Sequence, residues 1–405
     1  MADTPLANNM RLMGHTDLNG FGNGGEGLSL QQTRDGRRFL YIAHESAPKN
    51  FTVVEVTNPR TPTVVAQTEL PHAEVRSNSL DVVGDVMAVA YQTVRPGMKP
   101  AGMELFDVSD PTKPRSIAYL DRSGEHSRGA HCLWFVDGEY VHLTSGADDF
   151  QPRRQKDDQC YQIIDVRNPT QPREVGRWWL PGTREGDAEP VPPTPEARDK
   201  GYRSHNTNVY PERPDRAYLG YIGGGAVILD IGDKTKPRQV SRLHGSPPMW
   251  GFCHTVLPLF SKDVLIVTDE ALDMRDKEWP KLTWVVDASD EANPIIVGSL
   301  PIPSGESLFQ TPGRAGSHNL HENHPLPTAF RSETLVFGSY FSGGVRVHDV
   351  SNPYAPVEVG YYIPETPPGT KAGSAQVNDV YVDENRLIYA IDRFKGGLYV
   401  LDLTV

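Results

Sequence analysis

One short phrase recurs along this 405-residue chain at intervals of about 52 to 65 residues, and it restricts the possible folds more than any other feature. It consists of an alternating apolar run, an acidic residue and a turn that ends in proline. Six complete copies occur, among them "MELFDVSDPTKP", "YQIIDVRNPTQP" and "VRVHDVSNPYAP", and "LYVLDLTV" begins a seventh. Alternation with a period of two predicts a β-strand, and proline then turns the chain because it fixes φ and lacks an N–H. The acidic positions are Glu55, Asp107, Asp165, Asp230, Asp287, Asp349 and Asp402.

Each copy of the phrase lies within a longer unit that has the pattern of four strands. One strand follows the prolines, as in "PREVGRWWL", and two precede the phrase, as in "HTVLPLF" and "VLIVTDE". Seven such units predict an all-β fold, a single seven-bladed β-propeller over residues 1–405. The last unit stops after its third strand, whereas "MRLMGHTDL" (residues 10–18) has the pattern of a fourth. We therefore expect the N-terminal strand to join the last blade, which closes the ring and removes an open sheet edge.

The recurring phrases resemble the LVIVD repeat, a family of propeller-forming repeats whose name matches "AVILDI" and "LYVLDL" in this chain. The resemblance covers nearly the whole sequence and implies the propeller architecture. It implies little about function, because many LVIVD-repeat proteins have no assigned activity and propellers include enzymes, adaptors and binding modules.

Alignment of the innermost strands gives one polar residue per blade at the start of each strand, facing the central channel. Four consecutive blades contribute a histidine, although the whole chain has only thirteen. A metal ion would satisfy four imidazole lone pairs at once, whereas a buried water or hydrogen-bond network is the alternative. We predict that His131, His205, His254 and His318 bind a metal. In "GSHNLHENHP" only His318 belongs to this ring, which reads Glu26, Asn78, His131, His205, His254, His318 and Asn378.

Other residues on the same face are candidates for supporting roles. Glu45 and Glu270 end second strands and are expected to orient metal-bound imidazoles through their N–H groups, while Glu26 is a candidate general base. Substrate contacts are expected from ring or loop residues, namely Asn78, Asn378, Arg128, Tyr340 and Arg393. Arg76, Arg128 and Arg203 precede ring residues, where they would either hold a carboxylate substrate or form ion pairs between blades.

The longest loops are concentrated at the ring face. If each innermost strand starts there, the loops that enter it and the loops that follow the second strand share that face. Residues 147–158, 181–204, 269–282 and 302–317 form such loops, whereas the turns at the opposite face are uniformly short. Loops of this length are usually functional, so we expect these four to cover the metal face.

An all-imidazole set suits Fe(II), which we favour, or zinc, manganese, copper or nickel, and disfavours calcium and magnesium. Four histidines on the axis of a seven-bladed propeller are similar to the site of carotenoid-cleavage oxygenases, an analogy of site and not of sequence. That analogy implies an oxygenase or oxidase acting on a small organic substrate. A hydrolase or lyase that uses the ion as a Lewis acid, and a non-enzymatic binding or scaffold propeller, are the alternatives.

Composition limits the partners and the location. The net charge of −12 argues against nucleic acid or an anionic membrane as the main partner. Three cysteines without CxxC spacing do not form a disulfide framework. The N-terminus lacks the pattern of a secretory leader, so we expect a cytoplasmic protein. The sequence does not indicate the oligomeric state.

Overall fold

The computed structural model describes residues 5–193, 199–244, 251–273, 281–303 and 311–405. Seven antiparallel sheets succeed one another around a central axis, and each pairs its strands in chain order from the inside outward. The predicted all-β, seven-bladed propeller is therefore confirmed. We number the blades 1 to 7 by their innermost strands and call the four strands inner, second, third and outer.

From inner to outer, the strands of blade 1 are Gly24–Gln32, Arg38–His44, Lys49–Glu55 and Thr63–Glu69, and those of blade 2 are Val75–Arg76 with Leu80–Val83, then Val86–Thr93, Gly102–Asp107 and Arg115–Asp121. The strands of blade 3 are Ala130–Trp134, Tyr140–Ser145, Cys160–Asp165 and Arg173–Trp178. Those of blade 4 are Thr207–Tyr210, Arg213–Gly220, Ala226–Asp230 and Arg238–Leu243. Those of blades 5 and 7 are Cys253–Leu259, Val264–Asp269, Thr283–Asp287 and Ile295–Ser299; Val377–Val382, Leu387–Asp392, Leu398–Leu403 and Met10–Thr16. Blade 6 has Leu335–Ser339, Val345–Asp349 and Val357–Ile363 as its second, third and outer strands, with Leu6–Asn8 added outside them. Its inner position is taken by the irregular segment around His318, where Leu320 bridges to Gly338. A short ribbon (Ser123–Gly124 with Ser127–Arg128) and 3₁₀ turns at Gln155–Asp157 and Phe260–Lys262 complete the regular elements of the described residues.

The recurring acidic residue caps the turn between the third and outer strands. Asp107 Oδ1 accepts the backbone N–H of Ser109 at 2.9 Å, and Asp349 Oδ1 accepts that of Ser351 at 2.7 Å. This is an Asx turn, which a short carboxylate side chain forms with the backbone two residues further on. The same bond recurs at Asp165, Asp230 and Asp287. The repeat is thus visible in the sequence because these five blades use the same turn.

The N-terminal segment closes the ring as predicted and also extends a second blade. Met10–Thr16 pairs antiparallel with Leu398–Leu403 of blade 7, and Arg11 forms an ion pair with Asp402 at 2.6 Å. Just before it, Leu6–Asn8 pairs with the outer strand of blade 6, with Leu6 opposite Ile363. The sequence did not predict this additional strand, because three residues are too short for a periodic pattern.

The remaining global features concern membranes, cysteines and location. Among the described residues, no helix has the length and apolar character that crossing a bilayer requires. All three cysteines are buried and unpaired, in agreement with the sequence analysis. The cytoplasmic location stays a prediction.

Candidate metal centre

Five of the seven ring residues lie where the inner strands depart from regular pairing, whereas His205 lies just before the strand Thr207–Tyr210 and His318 lies outside any named strand. The register of blade 3 shifts between Ala130 and Cys132, that of blade 5 between Cys253 and Val256, and that of blade 7 between Val377 and Asp379. The ring residues His131, His254 and Asn378 occupy these shifts, and Glu26 and Asn78 lie in the corresponding gaps of blades 1 and 2. A β-bulge re-aims one side chain out of the alternation of a strand. In five blades, an interruption of the inner strand thus turns one polar side chain toward the axis.

Five of these side chains converge on one point. The Nε2 atoms of the four histidines lie 3.6 to 3.8 Å from the carboxylate oxygens of Glu26: His131 at 3.7 Å, His205 at 3.8 Å, His254 at 3.6 Å and His318 at 3.7 Å. These side chains come from blades 1, 3, 4, 5 and 6. Their donor atoms include two overlapping groups with metal-ligand spacing, Glu26 with His205 and His254, and His254 with Glu270 and His318.

The second nitrogen of every ring histidine is engaged by an oxygen of the protein. His131 Nδ1 lies 3.0 Å from Gln92 Oε1, His205 Nδ1 2.8 Å from Asn206 Oδ1, His254 Nδ1 2.9 Å from Thr255 Oγ1 and His318 Nδ1 2.6 Å from the backbone carbonyl oxygen of Asn378. The amide oxygen of Asn206 and the carbonyl oxygen of Asn378 can only accept, so they place the protons of His205 and His318 on Nδ1 and leave the lone pairs on Nε2, which is how proteins orient metal-binding histidines.

The orienting role that the sequence analysis gave to Glu45 and Glu270 is not seen. Their place is taken by the neutral oxygens on the Nδ1 atoms of the ring. Glu270 Oε1 instead lies 3.5 Å from His318 Nε2, on the side of the ring that faces Glu26. Glu45 accepts hydrogen bonds from Arg76 and Arg393 and contacts no ring histidine. The reason is geometric: both carboxylates end second strands, beside the Nε2 atoms and not behind the imidazoles.

The cluster has unsatisfied polar atoms at its centre. Glu26 Oε2, His254 Nε2 and His318 Nε2 are buried without a hydrogen-bond partner. Burial lowers the pKa of His205 to about 4 and that of His131 well below its usual value. Burial also acts to raise the pKa of Glu26, but the surrounding imidazoles outweigh it and hold the pKa low. Neutral imidazoles around an ionised carboxylate form an electron-rich centre that fits a cation.

Arginines surround this centre on the ring face. Arg393 Nη1 lies 3.9 Å from Glu26 Oε1, and its Nη2 donates to Glu45 at 2.5 Å. Arg76 Nη2 lies 3.3 Å from His131 Nδ1, and Arg314 Nη1 donates to Glu270 Oε1 at 2.9 Å. Arg393 was expected near the substrate, and its position beside Glu26 supports that proposal. Arg314 was not predicted, because it follows a loop of irregular length and no repeat aligns it.

The other predicted substrate residues lie in different environments. Asn378 donates to the carbonyl oxygens of Gly24 and Gly25 and accepts from Arg393 at 2.8 Å, so it supports the ring. Asn78 is fully buried, and neither amide atom has a partner. Arg128 donates from Nε and Nη2 to Asp158, as in the predicted alternative of an ion pair. The Tyr340 hydroxyl lies 3.2 Å from Thr283 Oγ1 and the ring packs near His348, within the blade interior.

The four long loops are only partly described. Residues 194–198, 274–280 and 304–310 of the loops 181–204, 269–282 and 302–317 lie outside the described residues. In the loop 147–158 the 3₁₀ turn Gln155–Asp157 is present, and Arg154 pairs with Asp157 at 2.7 Å. The expectation that these loops cover the ring stays a prediction.

A narrow cavity of about 20 Å³ extends from Glu26 between the inner strands. Its wall is formed by residues that follow the ring positions on the inner strands, and it contains Asp81, Glu322, His324 and Asp379. Burial raises the pKa of Glu322 to about 7, although the hydrogen bonds that Asn208 and Asn206 donate to its carboxylate act to lower this pKa. His324 stacks on Trp134 with 4.5 Å between ring centroids. No sequence signal singled out this second polar layer.

Comparison with known proteins supports the architecture. No protein-family model matches the sequence, and no curated protein matches it. Among solved structures, the β-propeller domain of Myceliophthora thermophila Cps50 (Swd1) has a TM-score of 0.54 at 13% identity over 94% of this chain and 97% of that chain. A chain of the Saccharomyces cerevisiae complex of Dbp5 with Nup159, Gle1, IP6 and ADP has a TM-score of 0.52 at 10% identity, covering 97% and 94%. The computationally designed protein Ika8 has a TM-score of 0.50 at 10% identity, covering 96% and 99%.

These likenesses establish the fold alone. The LVIVD resemblance and the analogy to four-histidine oxygenases have no support from a family match, so both remain interpretations of the sequence.

Proposed function

We propose that the protein is a metal-dependent enzyme whose ion is held on the propeller axis by His131, His205, His254, His318 and the carboxylate of Glu26. One observation carries the proposal: four Nε2 atoms surround one carboxylate within 3.8 Å while every Nδ1 is engaged by a protein oxygen. Hydrogen bonds alone leave three of these central atoms unsatisfied. A divalent cation would satisfy all five groups at once.

The donor set favours a redox-active ion. Imidazole and carboxylate ligands suit Fe(II), manganese, copper and zinc, and the absence of thiolate from these five residues fits a metal of intermediate softness. Catalytic zinc commonly keeps three protein ligands with an open position, whereas five donors converge in this centre. We therefore favour Fe(II) and an oxygenase or oxidase reaction on a small organic substrate. The bound ion would supply the one-electron chemistry.

The residues of the chain would orient that ion and limit its access. The Nδ1 contacts hold the four imidazole planes, and Glu270 with Arg314 borders the side of His318. The side chain of His131 is 10% exposed, whereas those of His254 and His318 are 0% exposed. The open coordination position is therefore expected beside His131. A small-molecule substrate would enter there, and we propose neither nucleic acid nor a membrane as partner.

Specific observations favour each of two alternatives. Glu26 Oε2 has no partner, so this oxygen is available as a general base in a hydrolase or lyase if the ion uses the four histidines alone. In contrast, His131 Nε2 and His205 Nε2 lie 2.8 Å apart, a distance at which one imidazole hydrogen-bonds to the other without metal. This contact favours a structural ring in a binding propeller.

Metal analysis of the purified protein tests the proposal. We expect about one equivalent of iron, manganese or copper per wild-type chain, and less than a tenth of that in His205→Ala and His254→Ala. His72→Ala is the matched control, because its imidazole contacts only backbone and near neighbours outside the ring. Electron paramagnetic resonance of the loaded protein with azide would then show whether a coordination position is open.

The alternatives give different results in the same experiment. Stoichiometric zinc with no redox-active metal would favour the hydrolase or lyase. If no metal is bound and the stability of the protein is unchanged when all four histidines become alanine, the proposal of a metal-dependent enzyme is wrong.

A further inference from the structure

The face of the metal centre carries more positive than negative side-chain charge. Four guanidinium groups, those of Arg76, Arg203, Arg314 and Arg393, act on the ring or on its carboxylates. The carboxylates among them are Glu26, Glu45 and Glu270. One positive charge is therefore in excess, and a divalent ion would add two more. Uncompensated charge in a partly buried site is costly, so this arrangement favours an anionic ligand.

Of these four arginines, Arg203 is the one without a carboxylate partner among the residues that the structure describes. Its Nη1 donates to the backbone carbonyl oxygens of Lys156 at 3.0 Å and Lys200 at 2.7 Å. Among the described residues, no carboxylate lies within ion-pair distance of its guanidinium, and its Nε and Nη2 have no hydrogen-bond partner. Arg203 lies two residues before the ring histidine His205. The intervening Ser204 N–H donates to the carbonyl oxygen of Gln159 at 3.2 Å, and Gln159 Nε2 donates at 3.2 Å to the carbonyl oxygen of Gly129, two residues before His131. These contacts place Arg203 on the ring face, beside the segments that carry His131 and His205.

The acids nearest to Arg203 are already paired with other arginines. Asp158 accepts both Nε and Nη2 of Arg128, at 2.6 and 3.0 Å. Asp157 accepts Arg154 in the same two-bond manner, at 2.7 and 2.8 Å. These two pairs show the geometry that an arginine and a carboxylate adopt in this part of the fold. Arg203 offers the same edge of the guanidinium without a protein partner.

We infer that the substrate of the metal centre carries a carboxylate, which Arg203 binds through Nε and Nη2 while the reacting part of the molecule reaches the ion beside His131. This inference rests on the proposed function for the identity of the centre. The free edge of Arg203 presents two parallel N–H groups, the pairing that a carboxylate makes bidentately. Backbone carbonyls fix the guanidinium through Nη1, so the edge is positioned before the ligand arrives.

The neighbouring arginines have different roles in this arrangement. Arg76 is held by Gln92 Oε1 at 3.0 and 2.6 Å and by Glu45, so it forms part of the wall. Arg314 stacks over Phe341 at 5.3 Å and is committed to Glu270. Both side chains are about one quarter exposed, which keeps their charge at the opening of the site. They attract an anion, and Arg203 determines where its carboxylate binds.

Isothermal titration with benzoate and acetate tests the inference, with benzamide as the uncharged isostere of benzoate. We expect benzoate to bind the metal-loaded protein and benzamide to bind at least tenfold more weakly, because it lacks the charge. Arg203→Gln should weaken benzoate binding by about tenfold to a hundredfold, and Arg203→Lys by less, since lysine keeps the charge and loses the two-donor edge. Arg167→Gln removes one exposed, carboxylate-paired charge elsewhere and should change affinity by less than about twofold.

The outcomes separate this inference from the proposed function. If metal binds but benzoate affinity is the same in Arg203→Gln and the wild type, or if neither carboxylate binds at millimolar concentration, the inference is wrong and the metal centre stands. If no metal binds but benzoate still depends on Arg203, the carboxylate site stands and the proposed enzyme does not. Tighter binding of inorganic phosphate than of benzoate would also overturn the assignment of a carboxylate.

Discussion

At the scale of single residues, the metal centre depends as much on the groups behind the imidazoles as on the imidazoles themselves. The four contacts to Nδ1 are made by a glutamine, an asparagine, a threonine and a backbone carbonyl. Neutral acceptors hold the tautomer without adding charge, so the positive charge of a bound ion would be balanced only by Glu26 and its neighbours. A bound ion would therefore be a stronger electron acceptor than an ion whose histidine ligands hydrogen-bond to carboxylates.

Thr255 allows a direct test of this support. Thr255→Val keeps the shape of the side chain and removes the oxygen 2.9 Å from His254 Nδ1. We expect metal affinity, measured by competition with a chelator, to fall about tenfold to a hundredfold. Thr207→Val is the matched control, since this buried threonine donates to the carbonyl oxygen of His142 and touches no ring histidine. Equal affinities in the two variants would contradict the orienting role of Thr255.

Glu322 in the narrow cavity predicts a pH dependence of stability. Its pKa rises from 4.5 to about 7 on folding because of burial, so the folded state binds its proton more tightly than the unfolded state does. The resulting contribution to the free energy of unfolding is at most about 3 kcal/mol. It is fully present below pH 4.5 and is lost as the pH rises through 7. In urea titrations, the free energy of unfolding of Glu322→Gln should therefore fall less between pH 5 and pH 8 than that of the wild type. The exposed Glu185→Gln should behave like the wild type, and an identical pH dependence in Glu322→Gln would refute the prediction.

The sequence identified the ring but not what surrounds it. The alignment of inner strands selected Glu26 and the four histidines because they share one position in the repeat. Gln92 was not found, because it reaches His131 from the second strand of the preceding blade. Arg314 was not found either, because its loop has no counterpart in other units. Contacts between units leave no periodic trace in a sequence.

At the scale of elements, the inner strands combine the alternation of a strand with one break. The prediction of strands from a period of two was right, but alternation alone does not show that the register shifts at the ring positions. In blade 1 the break falls in "GGEGL", and added Cβ atoms on Gly25 and Gly27 would lie 2.6 Å and 2.3 Å from backbone atoms of blade 2. The glycines permit that close approach and so bring Glu26 to the axis.

The N-terminal segment gives a second prediction at this scale. Deletion of residues 1–8 removes the exposed pairing of Leu6–Asn8 and should leave thermal stability nearly unchanged. Deletion of residues 1–16 also removes Met10–Thr16 and leaves Leu398–Leu403 as an open edge. We expect a loss of at least about 3 kcal/mol of unfolding free energy and aggregation in size-exclusion chromatography. Similar melting temperatures for the two truncations would show that blade 7 does not depend on this strand.

At the scale of the whole molecule, the fold was the most predictable property, because seven copies of one pattern average out local ambiguity. The proposed metal centre would join five blades and act as a cross-link at the hub. Adding chelator to the metal-loaded protein should lower its melting temperature by several degrees, in line with about 4 kcal/mol at a thousandfold excess of metal over Kd. The same treatment should not shift His254→Ala, which lacks a ligand. An equal shift in both proteins would place the stabilising ion elsewhere.

The pairing of Met10–Thr16 with Leu398–Leu403 also sets an order of events during synthesis on the ribosome. Met10–Thr16 is translated long before its partner, so it waits unpaired while the strands between them are made. Glu26 and His318 belong to the first and sixth of these blades, and they become neighbours only when the two ends meet. Metal loading is therefore expected only after Leu398–Leu403 has been translated, and a nascent chain arrested before that strand should contain no metal.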